Sequence, residues 1–240
     1  MVRTGLVFGL MLLATTAQAA DVISVNYDIS FGGTRVMKAD YSATLDERSY
    51  SANLEAKTVG VSKWFSKIKL NMSASGGLSE SGVTPANYSY SRKKNDKRKQ
   101  RVLTFAPGGA LVTDGGDYDA AILAAVAGKV MDPLSMLLKV ARSGKPCSGK
   151  HRAFDGRDVF DLSLSGATGT GTVTCKIVYT PVAGADVEDG ETDVTRYEIT
   201  FAPMGDNKGY VPVRLTGSSK GVGFEASANS VTVNGQPLSY

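Results

Sequence analysis

Three stretches of the 240-residue chain place hydroxyl, imidazole or carboxylate groups at spacings that catalysis uses. Gly217-Ser218-Ser219-Lys220-Gly221 matches Gly-x-Ser-x-Gly. That motif works on a strand-to-helix turn, and in α/β-hydrolases an acid and a histidine follow the serine. Here both flanks read as strands and the only histidine, His151, comes before the motif, so a hairpin turn is expected. Ser66-Lys67-Ile68-Lys69 spells Ser-x-x-Lys, in which one helix face must carry both groups. In an alternating strand, positions i and i+3 point to opposite faces, and no Ser-Asp-Asn or Lys-Thr-Gly companion follows. His151 with Asp155 and Asp158 has the donor types of a base or a metal site. Lys150, Arg152 and Arg157 would repel a cation there, and Asp155 belongs to a Phe154-Asp155-Gly156 turn, so a solvated histidine at a strand edge is expected. One histidine and two cysteines also exclude a Cys/His zinc cluster. The reading predicts no catalytic residue, no metal and no cofactor, and hence no enzyme.

Binding chemistry is better represented. Arg92, Lys93, Lys94, Lys97, Arg98, Lys99 and Arg101 crowd ten positions around Asn95-Asp96, with Asp96 the one acid among them. This reads as a polar hairpin kept soluble by its charges, or as a patch for anionic surfaces such as phospholipid headgroups or acidic glycans. Asp186, Glu188, Asp189, Glu191 and Asp193 fail the spacing of a calcium loop and read as an acidic hairpin tip. Trp64-Phe65 is the largest adjacent aromatic pair. In a strand its rings would face opposite sides, one in the core and the other free to line an apolar groove.

The chain's net charge of +4 falls to +3 once a leader containing Arg3 is removed, too little to suggest a nucleic-acid partner. That leader is expected over residues 1–19: a basic Arg3, an apolar run from Gly5 to Ala14, and Ala17-Gln18-Ala19 before cleavage at Ala20. The run is short of the roughly 20 residues that span a bilayer. No cysteine follows the cleavage site and no later segment is apolar enough to cross, so a soluble periplasmic protein is expected. In that oxidising setting Cys147 and Cys175 should form a disulfide.

The elements that position these residues come from polarity patterning. Ile23, Val25, Tyr27, Ile29 and Phe31 alternate with polar residues, and Met37 to Leu45 and Tyr50 to Ala56 repeat the pattern. Trp64, Ile68, Leu70, Met72 and Ala74 are expected to form a further strand, ending at Gly76-Gly77. After residue 150 the alternation resumes over Phe160–Leu164, Val173–Tyr179, Thr195–Phe201 and Val211–Leu215, then at Val222 and Phe224, then at Val231 and Val233. Between the halves, Asp132 as N-cap, Pro133 at N1 and Leu134, Leu137, Leu138 and Ala141 on one face predict a helix, with Gly144 as its C-terminal stop. Asp119 to Val126 is a second helical stretch. The expected fold is mainly β: one domain over 20–240, a long curved antiparallel sheet, open barrel or spiral-like, wrapping one or two short central helices.

Several of these pieces in order carry a resemblance: Tyr27-x4-Gly32, Gly76-Gly77 with Pro85-x2-Tyr88, Asp132-Pro133-Leu134-Ser135, Phe154-Asp155-Gly156-Arg157, and Val211-Pro212-Val213-Arg214-Leu215. The chain resembles the domain-of-unknown-function-3108 family of exported bacterial proteins over most of its mature length. The resemblance implies an exported, β-rich protein and brings no catalytic residues. That architecture is similar to curved-sheet envelope proteins such as the periplasmic lipoprotein carriers, a fold analogy only. The function expected is a non-enzymatic cell-envelope binding protein holding a lipid, lipoprotein segment or other hydrophobic component. The alternative is a structural or protein-interaction module using an edge strand or the charged loops, and a carboxylate-based glycan-cleaving enzyme ranks last.

Overall fold

Alternating polarity does build strands. The computed structural model describes residues 20–240 apart from 61, 81, 114–116, 185–194, 206–207 and 220, and the side chains of Trp64, Phe65, Thr195 and Ser219 are also outside the description. The first half is a meander: β1 (Asp21–Phe31), β2 (Thr34–Leu45), β3 (Ser49–Thr58), a single helical turn α1 (Ser62–Phe65), β4 (Ile68–Ser79), β5 (Gly82–Lys94) and β6 (Lys97–Thr104). Two helices follow, α2 (Ala120–Val126) and α3 (Pro133–Arg142). The second half is β7 (Gly149–Phe154), β8 (Asp158–Thr168), β9 (Val173–Gly184), β10 (Thr195–Pro203), β11 (Tyr210–Ser219), β12 (Val222–Val233) and the short β13 (Gln236–Pro237).

All strands lie in one antiparallel sheet, ordered β6-β5-β4-β3-β2-β1-β12-β11-β10-β9-β8-β7, with β13 beside β12. The two meanders are joined where β1 pairs with β12. The sheet curls without closing, and β6 and β7 are its two edges. Bulges at Ile29/Ser30, Ser75/Gly76 and Thr200/Phe201 supply local bends. Gly76 is required at one of them, because a Cβ there would sit 2.1 Å from the Thr84 carbonyl oxygen. The edges approach one another through the Arg101–Asp155 ion pair, 2.9 Å, and the segment before α3 pairs with β7 through Met131 and Ala153.

The helix α3 starts where the sequence places it. Asp132, fully buried, accepts from the backbone N–H groups of Leu134 (3.0 Å) and Ser135 (2.9 Å) and from the Ser135 hydroxyl. Tyr50 on β3 hydrogen-bonds Ser135, tying the helix N-terminus to the sheet. Burial pushes the Asp132 carboxyl above its ordinary range despite these donors. The apolar face of α3 brings Leu134 and Leu138 into one core with Ala43, Leu45, Tyr50, Ala52 and Ala74, while Val140 and Ala141 join Cys175, Ile177, Ile199 and Phe201. The Cys147–Cys175 disulfide fastens the chain after α3 to β9. No helix among the described residues is long and apolar enough to cross a membrane.

Four local expectations are corrected. Trp64-Phe65 is not in a strand: its backbone is the helical turn α1, so alternation does not sort the two rings, and the predicted apolar-groove role of their side chains lies outside the description. Gly76-Gly77 does not end β4, which runs on to Ser79. Helix α3 ends on an extended Ser143, whose N–H still bonds Lys139 and Val140, so Gly144 does not supply a left-handed stop. Ser66 lies in the connection between α1 and β4, so strand alternation is not what separates it from Lys69; its hydroxyl makes no hydrogen bond. The expected leader and the acidic run 186–193 fall outside the described residues.

Candidate functional site

The inward face of an alternating strand is apolar along its whole length, so a curled sheet needs an apolar filling throughout. A helix of ten residues is only about 15 Å long, whereas a twelve-residue strand spans about 40 Å. Helix α3 therefore fills one end of the enclosure and leaves the other hollow. The hollow is an apolar cavity of about 620 Å³, partly open to solvent. Its walls come from both halves of the chain: Leu70 and Met72 on β4, Phe160 and Leu162 on β8, and Leu137 of α3 all line it. Ile29, Met37, Leu70, Phe160, Tyr179 and Phe224 are all only half-buried, because they face this space rather than other side chains.

Aromatic pairs stiffen the wall. Phe160 stacks near Tyr179 with ring centroids 5.1 Å apart, and Tyr197 meets Phe224 at 5.6 Å. Gly217 makes the second contact possible, since a Cβ there would come within 2.3 Å of the Tyr197 ring. The Tyr27 hydroxyl donates to the Pro212 carbonyl at 2.6 Å, and burial raises the phenol far above its ordinary value. Among the described lining residues the one charged group is Arg214, forked onto Glu225 at 2.9 and 3.1 Å. The guanidinium holds the Glu225 carboxyl below its ordinary range. Such a wall can take up an apolar chain by excluding water, and among the described lining residues it offers no acid–base pair.

The structure scatters the candidates that the sequence groups together. Within Gly217–Gly221, Ser218 and Ser219 end β11 opposite Gly223 and Val222 of β12, so the serines stand at a strand-to-strand junction and not on a nucleophile elbow. His151 lies on edge strand β7 with Nε2 3.2 Å from the Ser148 carbonyl oxygen. Asp155 is committed to Arg101 and to the N–H groups of Arg157 and Asp158. No group of three metal-ligating side chains is found among the described residues. The basic cluster is an ordered hairpin of β5 and β6, with Asn95 at φ 51° in its turn, and its seven cations divide between two faces. Arg92, Lys94, Lys97, Lys99 and Arg101 fall on the face that carries Leu70, whereas Lys93 and Arg98 are on the outer one. Arg101 is no part of a free patch: besides Asp155 it covers the Tyr90 ring, 4.8 Å from its centroid. Cys147 and Cys175 stand as the expected staple, Cα atoms 4.9 Å apart. Sequence reasoning missed the cavity itself, because its lining residues read as ordinary core positions.

Fold and site together define a mainly β protein whose open, curled antiparallel sheet keeps an apolar cavity beside a helical plug. The chain belongs to a family described as protein of unknown function (DUF3108), whose model matches residues 26–223. Among solved structures, the chain is similar to a β-barrel-like protein of domain of unknown function DUF1849 from Brucella abortus, with TM-score 0.48 and 11% identity over 90% of this chain and 99% of that one. It is also similar to the Aeromonas veronii immune modulator A, with TM-score 0.25 and 9% identity over 90% of this chain and 95% of that one. No curated protein matches.

Proposed function

We propose that the protein is a non-enzymatic binding protein of the bacterial cell envelope, exported to the periplasm, that holds a lipid acyl chain or an acylated segment in its cavity. The observation that carries this reading is the apolar cavity of about 620 Å³, a volume within the range of small-ligand sites. An apolar space of that size left empty forfeits both dispersion contacts and water exclusion, and an acyl chain restores both. Export is supported by the leader-like residues 1–19 and by the disulfide. Use of an edge strand as a protein-interaction module is less favoured. Edge β6 carries Lys97, Arg98, Lys99 and Arg101, charges of the kind that blunt strand addition.

Native mass spectrometry of the folded protein, with displacement of a fluorescent fatty acid, tests the proposal. An acyl-containing molecule should leave on denaturation, and Ala56→Phe, which grows into the cavity, should weaken probe binding at least about tenfold while the urea midpoint holds. A wild-type protein that carries no such molecule and takes up no probe would sink it.

A further inference from the structure

Strand register brings together cations that are far apart in sequence. Lys38 on β2 stands opposite Lys57 on β3, Lys57 opposite Lys69 on β4, Lys69 opposite Lys93 on β5, and Lys93 opposite Arg98 on β6. Directly opposed residues share a face, so these five form one row across five adjacent strands, about 19 Å long at the usual strand spacing. The face is the outer one: all five side chains are exposed, while their chain neighbours Met37, Ala56 and Leu70 line the cavity. None of the five belongs to an ion pair among the described residues. One row further from the rim, Asp40 and Glu55 lie on the same face of β2 and β3, but Asn71, Ser91 and Gln100 continue that row on β4 to β6. Elsewhere the sheet pairs such charges: Arg152 stands opposite Asp161 at 2.8 Å, and Arg214 forks onto Glu225. Asp28 on β1 stands opposite Lys38 and is paired with Arg35, and Asp96 lies in the β5–β6 turn, but Lys57, Lys69, Lys93 and Arg98 have only cations directly opposite them. Like charges opposed across strands oppose folding, so the row calls for an external anion.

Its position says which anion. In a meander, alternate connections emerge at the same end, so the row lies close to the β1–β2, β3–β4, β5–β6 and β11–β12 connections. This is also the hollow end of the enclosure. Beside the row, a polar cleft of about 590 Å³ is lined by Lys63, Lys67, Lys69 and Lys93 with one acid, Asp96, together with Ser66, Ile68 and Asn95, and the Ser66 hydroxyl has no hydrogen-bond partner. The tips of the same end carry exposed apolar side chains, Phe31 (44% exposed) and Val222 (39%). A linear polyanion would need the cations alone. Cations beside apolar tips at the hollow end of the enclosure match an interface that is anionic outside and hydrocarbon within.

We propose that this end of the protein docks on an anionic phospholipid bilayer, with the row Lys38, Lys57, Lys69, Lys93 and Arg98 meeting headgroup phosphates and Phe31 and Val222 entering the interface. The choice of a bilayer rests on the acyl-binding reading of the cavity. Docking presents the cavity mouth to the lipid from which a chain would be drawn.

Vesicle co-sedimentation decides it, comparing pure phosphatidylcholine with phosphatidylcholine containing about three tenths phosphatidylglycerol. Wild-type protein should bind the anionic vesicles and release in about 0.5 M salt. Lys69→Glu/Lys93→Glu should weaken binding at least about tenfold, and Lys57→Gln/Lys69→Gln should do so by less. Lys129→Glu/Lys145→Glu, with the same change of net charge on exposed loop positions, should stay within about twofold of wild type. Equal loss in both Glu pairs, equal binding to neutral vesicles, or binding to soluble polyphosphate but not to vesicles overturns the proposal. The fluorescent fatty acid separates the two readings. A row variant that loses vesicles yet takes up the probe supports both, whereas vesicle binding by a protein that takes up no probe leaves the docking face and removes the cavity's role.

Discussion

The two ends of the same strands are packed differently. Toward the β2–β3 turn, Ala43, Leu45, Tyr50, Ala52, Ala74 and Leu78 are buried under α3 and make a continuous core with Ile23, Val25 and Val231. Toward the β3–β4 connection, Met37, Leu54, Leu70 and Phe224 have the same apolar character and the same inward direction, yet they are half-buried around open space. Outside, the hollow end carries the row of cations beside ion pairs such as Arg35–Asp28 at 3.1 Å, whereas the filled end carries pairs such as Lys208–Asp21 at 2.9 Å. One end is filled by packed side chains, and the other is left open.

Paired truncations test this contrast most directly. Leu138→Ala, in the filled end, should cost about 2–5 kcal/mol, and Leu70→Ala, on the cavity wall, less than about 1.5 kcal/mol, both from urea unfolding. Equal costs would mean that the cavity is filled in solution. Removing the disulfide as Cys147→Ala/Cys175→Ala opens a sequence separation of 28 residues and should cost about 3–4 kcal/mol in the chain-entropy model, with acyl binding retained if the staple serves only the plug. Asp132→Ala strips the cap that seats α3 and should cost about 2 kcal/mol. Its thermal unfolding should sharpen the comparison, since a loosened plug enlarges the hollow and raises probe uptake.

The smallest effects are set by pH, and the two buried acids act in opposite directions. Arg152 and Lys150 hold the Asp161 carboxyl below its ordinary range, so its contribution is present above about pH 4 and disappears as pH falls toward the depressed value. Burial raises Asp132, so its charged form is disfavoured in the fold and the associated stability is lost as pH rises through the raised value. Urea midpoints followed downward from about pH 4 should fall in wild type, and Asp161→Asn should flatten that fall.

Much of this fold is legible in the sequence, for identifiable reasons. Ile23 to Phe31 and Met37 to Leu45 alternate because one face meets the interior, and a period of two survives whatever the register. Asp132-Pro133 marks α3 through local chemistry alone. Trp64-Phe65 reads wrongly because an aromatic pair fits a strand as well as a helical turn, and four residues are too few for periodicity to separate them. Gly76-Gly77 reads as a stop because close approach of the Thr84 carbonyl, on the neighbouring strand β5, cannot be seen locally.

The candidate site is the less legible part. Composition and local pattern determine that strands form, where α3 begins, which two cysteines meet, and that the basic residues around Asn95 share a hairpin. Only the tertiary structure decides that α3 leaves part of the enclosure unfilled, because helix length and sheet height become comparable only once the sheet has curled around the helix. Register likewise aligns Lys38, Lys57 and Lys69 with Lys93 and Arg98, since hydrogen bonding between strands, and not position along the chain, determines which charges become neighbours.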